Sequence, residues 1–243
     1  MAKYPKWTGL LVIIIALTVW VARVEAQQIG KVFRIGYLDP SSASASAVLV
    51  DAFRDELRKL GWIEGKNITI ERRFLEQKLA RAPELAAELV RLKVDVIVVS
   101  GTVPATAAKN ATSTSPIVMA NVGDPVGAGL VAGLAHPTAN VTGLSGLAPE
   151  LNTKRLEVLK DTVPNLTEVG VLLGAGADLA NKLQVKDLTT AAVALQIKLQ
   201  EIETKIDDKG LESALQTASQ RHVKAIMTTV RRVFLLRERR LWS

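Results

Sequence analysis

Eight short runs rich in aliphatic and β-branched residues alternate along this chain with amphipathic stretches of ten to eighteen residues. The runs are "VFRIGYLD", "NITIERRF", "VDVIVVS", "PIVMANV", "NVTGLSG", "EVGVLLG", "IKLQEIE" and "VKAIMTT". Strands separated by helices of that length need crossover connections, which pair them in parallel and cover both faces of the sheet. The unbroken apolar character of "VDVIVVS" suits a strand buried on both faces. The order repeats past the fifth run, so the pattern predicts an α/β protein with two doubly wound parallel-sheet lobes, residues 27–146 and 147–243. A brief helix is expected after "PIVMANV", and Trp62 is expected in the core, at the end of the strands opposite the ligand loops.

The first 26 residues stand outside that pattern. Lys3 and Lys6 precede the apolar run Leu10–Ala22, and "VEA" places small residues before a cut after Ala26. This is the form of a secretory signal peptide, and the run is shorter than the ~20 apolar residues that span hydrocarbon. The chain has no cysteine. It is therefore expected to be exported, soluble, free of disulfides and without a lipid-modified cysteine.

Charge narrows the partners. The net charge of +7 is an end effect, because residues 221–243 hold seven basic side chains against Glu238 alone. A near-neutral body has no field with which to attract polyphosphate, so no nucleic acid is expected.

Catalytic motifs are missing or out of place. Gly127, Gly129 and Ala132 in "NVGDPVGAGLVAGL" satisfy G-x-G-x-x-G/A, but a dinucleotide turn follows the first strand of its domain and opens a full helix. Here the match follows the fourth strand. "GLSGL" is not G-x-S-x-G, and His136 and His222 stand alone, so neither nucleophilic catalysis nor a metal site is expected, and no cofactor.

Ligands of open parallel sheets sit outside the carboxyl ends of the strands. That rule selects "YLDPSS", "SGTVPAT", "NVGDPVG" and "TGLSG" in the first lobe and "GAGADLAN" in the second. The first three supply the candidate ligand-binding residues Tyr37, Asp39, Ser41, Ser42, Ser100, Gly101, Thr102, Asp124 and Pro125. Ser100 and Gly101 lead into a helix whose first N–H groups suit a carboxylate, while Asp39 and Asp124 could hold an ammonium group. Together these features suit a zwitterion. Helix capping by the serines, and an Asx turn at Asp124, are the competing structural readings.

The residues that carry these features also carry a resemblance. "RIGYLDP", "FRDELRKLGWIEGKNITIERRF", the long segment from "AAELVRLKVDVIVVSGTVPAT" to "GDPVGAG" and "NVTGLSG", and "KRLEVLKDTVPNLTEVGVLL" are similar to the ABC-transporter substrate-binding family, in particular its tryptophan/tyrosine-type members. The resemblance covers nearly all of Arg34–Thr229. It implies a type I periplasmic-binding fold, a periplasmic location, two lobes closing on a small amino-acid-like solute, delivery to an ABC permease in the inner membrane, a monomer, and no catalysis. The family's first-lobe ligand loops fall on Tyr37–Ser42, Ser100–Thr102 and Gly123–Pro125. The same fold could instead serve a periplasmic sensor or scaffold that contacts a membrane receptor. The resemblance departs at the Arg-dense "VRRVFLLRERRLWS", where relatives continue with further β/α units, so the second lobe is expected to be incomplete.

Overall fold

The structure is a computed structural model that describes residues 31–135, 139–174, 179–205 and 207–229. The predicted signal peptide, His136 and the basic C-terminal tail lie outside them.

Five strands form the first sheet: β1 (Phe33–Asp39), β2 (Ile68–Phe74), β3 (Val96–Ser100), β4 (Ile117–Val122) and β5 (Val141–Ser145). All pairs are parallel, in the order β2-β1-β3-β4-β5. Alternation along β1 assigns its side chains to two cores. Ile35 and Tyr37 join Ile68, Ile70 and Val98 against Val50, Phe53 and Leu57 of helix α1 (Ala43–Lys59). Leu38, on the other face, joins the core built by Leu85 and Leu89 of α2 (Ala82–Arg91) and Ala105 and Ala108 of α3 (Thr102–Ala111). Leu85 and Leu89 stand one helical turn apart, so α2 presents a single apolar stripe to the sheet. Each buried leucine contributes about 2 kcal/mol, and truncating Leu89 to alanine would cost about 2–5 kcal/mol.

The second sheet has three parallel strands in the order β7-β6-β8: β6 (Glu168–Gly174), β7 (Lys198–Thr204) and β8 (Ala225–Thr228). Val169, Val171 and Leu173 pack against Leu156 of α4 (Ala148–Thr162) and Leu188 of α5 (Leu179–Ala194). The opposite face, Leu172 and Ile202, is covered by Leu211 and Ala214 of α6 (Asp208–Gln220). Among the described residues no strand is shared between the sheets. They meet through helices, α3 touching α5.

Two expectations need correction. Among the described residues no helix lies between β4 and β5: the chain turns instead, with the Gly129 N–H donating to the Val126 carbonyl and the Leu130 N–H to the Pro125 carbonyl. Gly129 has φ +67°, outside the helical region, and two glycines within three residues deprive a short helix of propensity. Trp62 is 39% exposed rather than buried, and meets Phe33 edge-on with ring centroids 5.6 Å apart. Its position beyond the amino ends of the strands leaves only one side of the indole to cover.

Candidate functional site

The order β2-β1-β3 reverses direction at β1, making the junction of β1 and β3 the switch point where a doubly wound sheet opens a crevice. The chain leaving β1 is organised by Asp39, which is fully buried. Its Oδ1 accepts from the Ser41 backbone N–H and the Ser46 hydroxyl, both at 2.9 Å, and its Oδ2 accepts from the Tyr37 phenol at 3.1 Å. Both carboxylate oxygens are thus engaged inside the loop. The Ser42 hydroxyl caps α1 by accepting from the Ala45 N–H at 3.2 Å. Ser41 differs from its neighbours: it is buried, yet its Oγ has no hydrogen-bond partner. An unmade bond at a buried hydroxyl costs about 1–3 kcal/mol, so this oxygen lowers the stability of the fold.

Beside it, β3 runs out at the buried Ser100, and the chain enters α3 through Gly101. Gly101 takes φ +87°, ψ +159°, a conformation closed to other residues, and its N–H is fixed by the Asn121 carbonyl at 2.7 Å. A Cβ on Gly101 would lie 3.7 Å from Pro40 Cγ, so the loops after β1 and β3 are in contact. The N-cap of α3 is Gly101, which has no side chain with which to cap it. The first turn of the helix puts the positive end of its dipole at the carboxyl end of β3, the strand beside β1. Thr102 is buried at this end, its carbonyl accepting from Thr106 Oγ1 at 3.0 Å.

The loop after β4 forms a third edge. Asp124 Oδ1 accepts from the Gly127 N–H at 2.8 Å, three residues on rather than the two of an Asx turn, and its carbonyl accepts from the Ala128 N–H at 3.1 Å, the pattern of an N-cap. A Cβ at 127 would fall 1.9 Å from Asp124 Oδ2, so any larger residue there must push the Asp124 side chain aside. The Gly123 carbonyl accepts from the Ala148 N–H at 3.0 Å, so the same loop holds the first turn of α4. Asp187 of α5 comes close enough for charges to act. Burial raises its carboxyl above the usual carboxylate range, the Asp124 carboxylate adds to the rise, and Glu150 acts in the same sense against Lys186. This corner favours a cation.

The second sheet contributes polar groups that the sequence did not single out. Asn152 on α4 donates to Gln184 Oε1 on α5 at 2.8 Å, both side chains being buried. Arg155, one turn further along α4, donates to the Thr228 carbonyl at 2.7 Å and to Thr228 Oγ1 at 3.2 Å. Asn181 Nδ2 donates to the Gly174 carbonyl at 2.8 Å, at the carboxyl end of β6. Asn152 and Gln184 sit among apolar neighbours at helical spacing, and only the packing reveals that they face each other. Of the predicted "GAGADLAN" stretch, residues 175–178 lie outside the described residues. Among the described residues no group of three acidic or histidine side chains could hold a metal ion, and no helix is long and apolar enough to cross a membrane.

The family model described as ABC transporter substrate binding protein matches residues 35–234. The chain belongs to this family. A curated relative, the tyrosine-binding protein of Clostridioides difficile, is 34% identical over 149 residues, which is 61% of this chain and 41% of the relative. A solved conserved domain protein from Vibrio cholerae is 31% identical with a TM-score of 0.69, over 81% of this chain and 64% of that one. The ABC domain from Streptococcus pneumonia solved with L-Trp shares the fold at a TM-score of 0.68 and 23% identity, over 85% of this chain and 71% of that one. The chain thus spans less than two thirds of the length of the curated relative and of the Vibrio structure. A leucine binding protein from Thermotoga maritima, at 14% identity and a TM-score of 0.60, shows that the fold is of the type I periplasmic-binding kind.

Proposed function

We propose that this chain captures an amino acid with an aromatic side chain, closing its two lobes, residues 27–146 and 147–243, over it. The observation that carries the reading is the buried, unpartnered Ser41 hydroxyl after β1, next to the strand that leads through Gly101 into the N-terminus of α3. Those donors suit an α-carboxylate, with Ser100, Gly101 and Thr102 shaping the pocket that receives it. The α-ammonium group goes to the acidic corner of Asp124, whose turn Pro125 fixes. Tyr37, Asp39 and Ser42 act from behind, Asp39 by holding the loop that presents Ser41. An aromatic ligand is supported by a relative named for tyrosine and by a fold neighbour solved with L-Trp.

In this reading the protein is exported by cleavage of residues 1–26, works as a periplasmic monomer, and hands its ligand to an ABC permease in the inner membrane. It performs no catalysis and needs no cofactor. The test is thermal denaturation and calorimetry of the full mature chain against the twenty L-amino acids. At a ligand concentration of about 100 Kd, binding adds about 2.7 kcal/mol, a rise in Tm of roughly 5–10 °C. The rise is expected for L-tryptophan or L-tyrosine, and a chain that responds to no member of the panel overturns the reading.

A further inference from the structure

Where the two sheets meet, carboxylates from opposite sides act on each other: Asp124, in the loop after β4, and Asp187, on α5. The start of α4 bridges them. Its Ala148 N–H donates to the Gly123 carbonyl at 3.0 Å, beside Asp124, and its Asn152 amide holds Gln184 of α5 at 2.8 Å, one turn before Asp187. α3 touches α5 as well. Neither carboxylate is loose. Asp124 Oδ1 is held by the Gly127 N–H at 2.8 Å, and the half-buried Asp187 precedes the fully buried Leu188.

The charges that act on Asp187 are Asp124 from the loop, Glu150 from the first turn of α4 and, in the opposite sense, Lys186 beside it. Cations on the elements packed against α5 are engaged with other groups: Lys109 of α3 with the carbonyls of Gly129 and Leu130, Lys154 of α4 with Glu157, Arg155 with Thr228, Lys160 with the Leu195 carbonyl, and Lys198 of β7 with Glu168. The other acids of these elements stand off: Glu157 and Asp161 lie two turns or more along α4 from Glu150, while Glu201 and Glu203 of β7 are exposed.

Two carboxylates in a half-buried contact resist double ionisation, and a proton on one of them relieves the repulsion. Units that share no strand can relieve it in a second way, by moving apart. We infer that Asp124 and Asp187 form a proton-linked contact between the two lobes: with both ionised the lobes stand further apart, and a proton taken up there lets α5 settle against the loop after β4. The inference rests on the two-lobe reading above and adds to it a control that acts before any ligand arrives.

The experiment measures the radius of gyration of the full mature chain without ligand by small-angle X-ray scattering. Wild type, Asp187→Asn, Asp124→Asn and the double variant are compared from pH 7 down to about pH 4, the ordinary carboxylate range. Each amide keeps the size of its carboxylate, and at 124 it keeps an oxygen for the Gly127 N–H. Either single variant is expected to be more compact than wild type at pH 7, with the difference vanishing as the pH falls. The double variant should be no more compact than Asp187→Asn, because one missing charge already ends the repulsion. A radius at pH 7 equal to or above that of wild type in either folded single variant overturns the inference. So does a difference that persists undiminished to about pH 4, or a double variant whose compaction equals the sum of the singles, since the two residues would then act through separate contacts. Should Asp187→Asn not fold, Asp124→Asn carries the same comparison with wild type. No ligand enters these measurements, so a chain that responds to no amino acid overturns the amino-acid reading alone, and an unchanged radius overturns this inference alone.

Discussion

The phenol of Tyr37 donates to Oδ2 of Asp39 across two residues of β1, and both side chains are buried. Oδ1 of the same carboxylate meanwhile holds the Ser41 N–H and the Ser46 hydroxyl. Asp39→Ala would strand three buried donors, so a loss of about 3–5 kcal/mol is expected in urea denaturation. Tyr37→Phe removes one donor and leaves the carboxylate its two bonds at Oδ1, so about 1 kcal/mol is expected. A mild effect of Asp39→Ala would show that the carboxylate does not organise the loop.

Gly127 and Asp124 form a coupled pair. Gly127→Ala pushes the Asp124 carboxylate from its place and breaks the bond to the 127 N–H, at a cost of about 1 kcal/mol. Once Asp124→Ala has removed that carboxylate, the methyl group at 127 has nothing to displace. The double variant should therefore be clearly less destabilised than the sum of the singles in a double-mutant cycle. Additive costs would show that the two positions do not interact.

Gly143 faces backbone rather than a side chain. Its φ is +133°, and a Cβ would come 2.2 Å from the Met119 carbonyl oxygen and 2.6 Å from the Met119 nitrogen. Neither atom can rotate away. Gly143→Ala is expected to cost several kcal/mol, on the order of 3 or more, from clash and strain together. Circular dichroism melting checks it, and the loss should exceed that of Gly127→Ala.

Asp187 predicts a pH dependence whose sign follows from burial and the nearby Asp124 carboxylate. Its folded carboxyl binds a proton more tightly than the unfolded one, so the stability it permits is complete below about pH 4. That stability is lost as the pH rises through the raised folded value. Asp187→Asn should therefore melt at a higher temperature than wild type at pH 7, with the gap closing as the pH falls toward the ordinary carboxylate range. A gap that widens on acidification would reverse the assignment.

The elements were legible in the sequence where one period dominates. "EVGVLLG" reads as a strand and forms β6 over Glu168–Gly174, because a β-branched run bounded by Asn165 and Gly174 has no helical competitor. Of the loops selected by the open-sheet rule, those after β1 and β3 lie side by side, a Cβ on Gly101 falling 3.7 Å from Pro40. What local pattern could not show was the partner of each polar group. Asp39 looks the same in the sequence whether it faces a ligand or bonds Tyr37, Ser41 and Ser46, since the difference lies in how β1 meets α1. Asn152 and Gln184 are 32 residues apart, and their bond exists only once α4 lies against α5. After β4, Asp124 and two glycines draw the chain into turns where the apolar residues alone suggested a helix.

The separation of the two sheets bears on the order in which the chain acquires structure. Every strand that pairs with β1 to β5 ends by residue 145, and every strand that pairs with β6 to β8 starts at residue 168 or later. During synthesis, where amino-terminal units fold first, the earlier sheet can assemble before the later strands exist. It must still wait for one event. β1 lies between β2 and β3, so the strand made first has an open edge until Val96–Ser100 arrives. Until then Ile35, Tyr37 and Leu38 are the surface that a nascent chain most needs to shield.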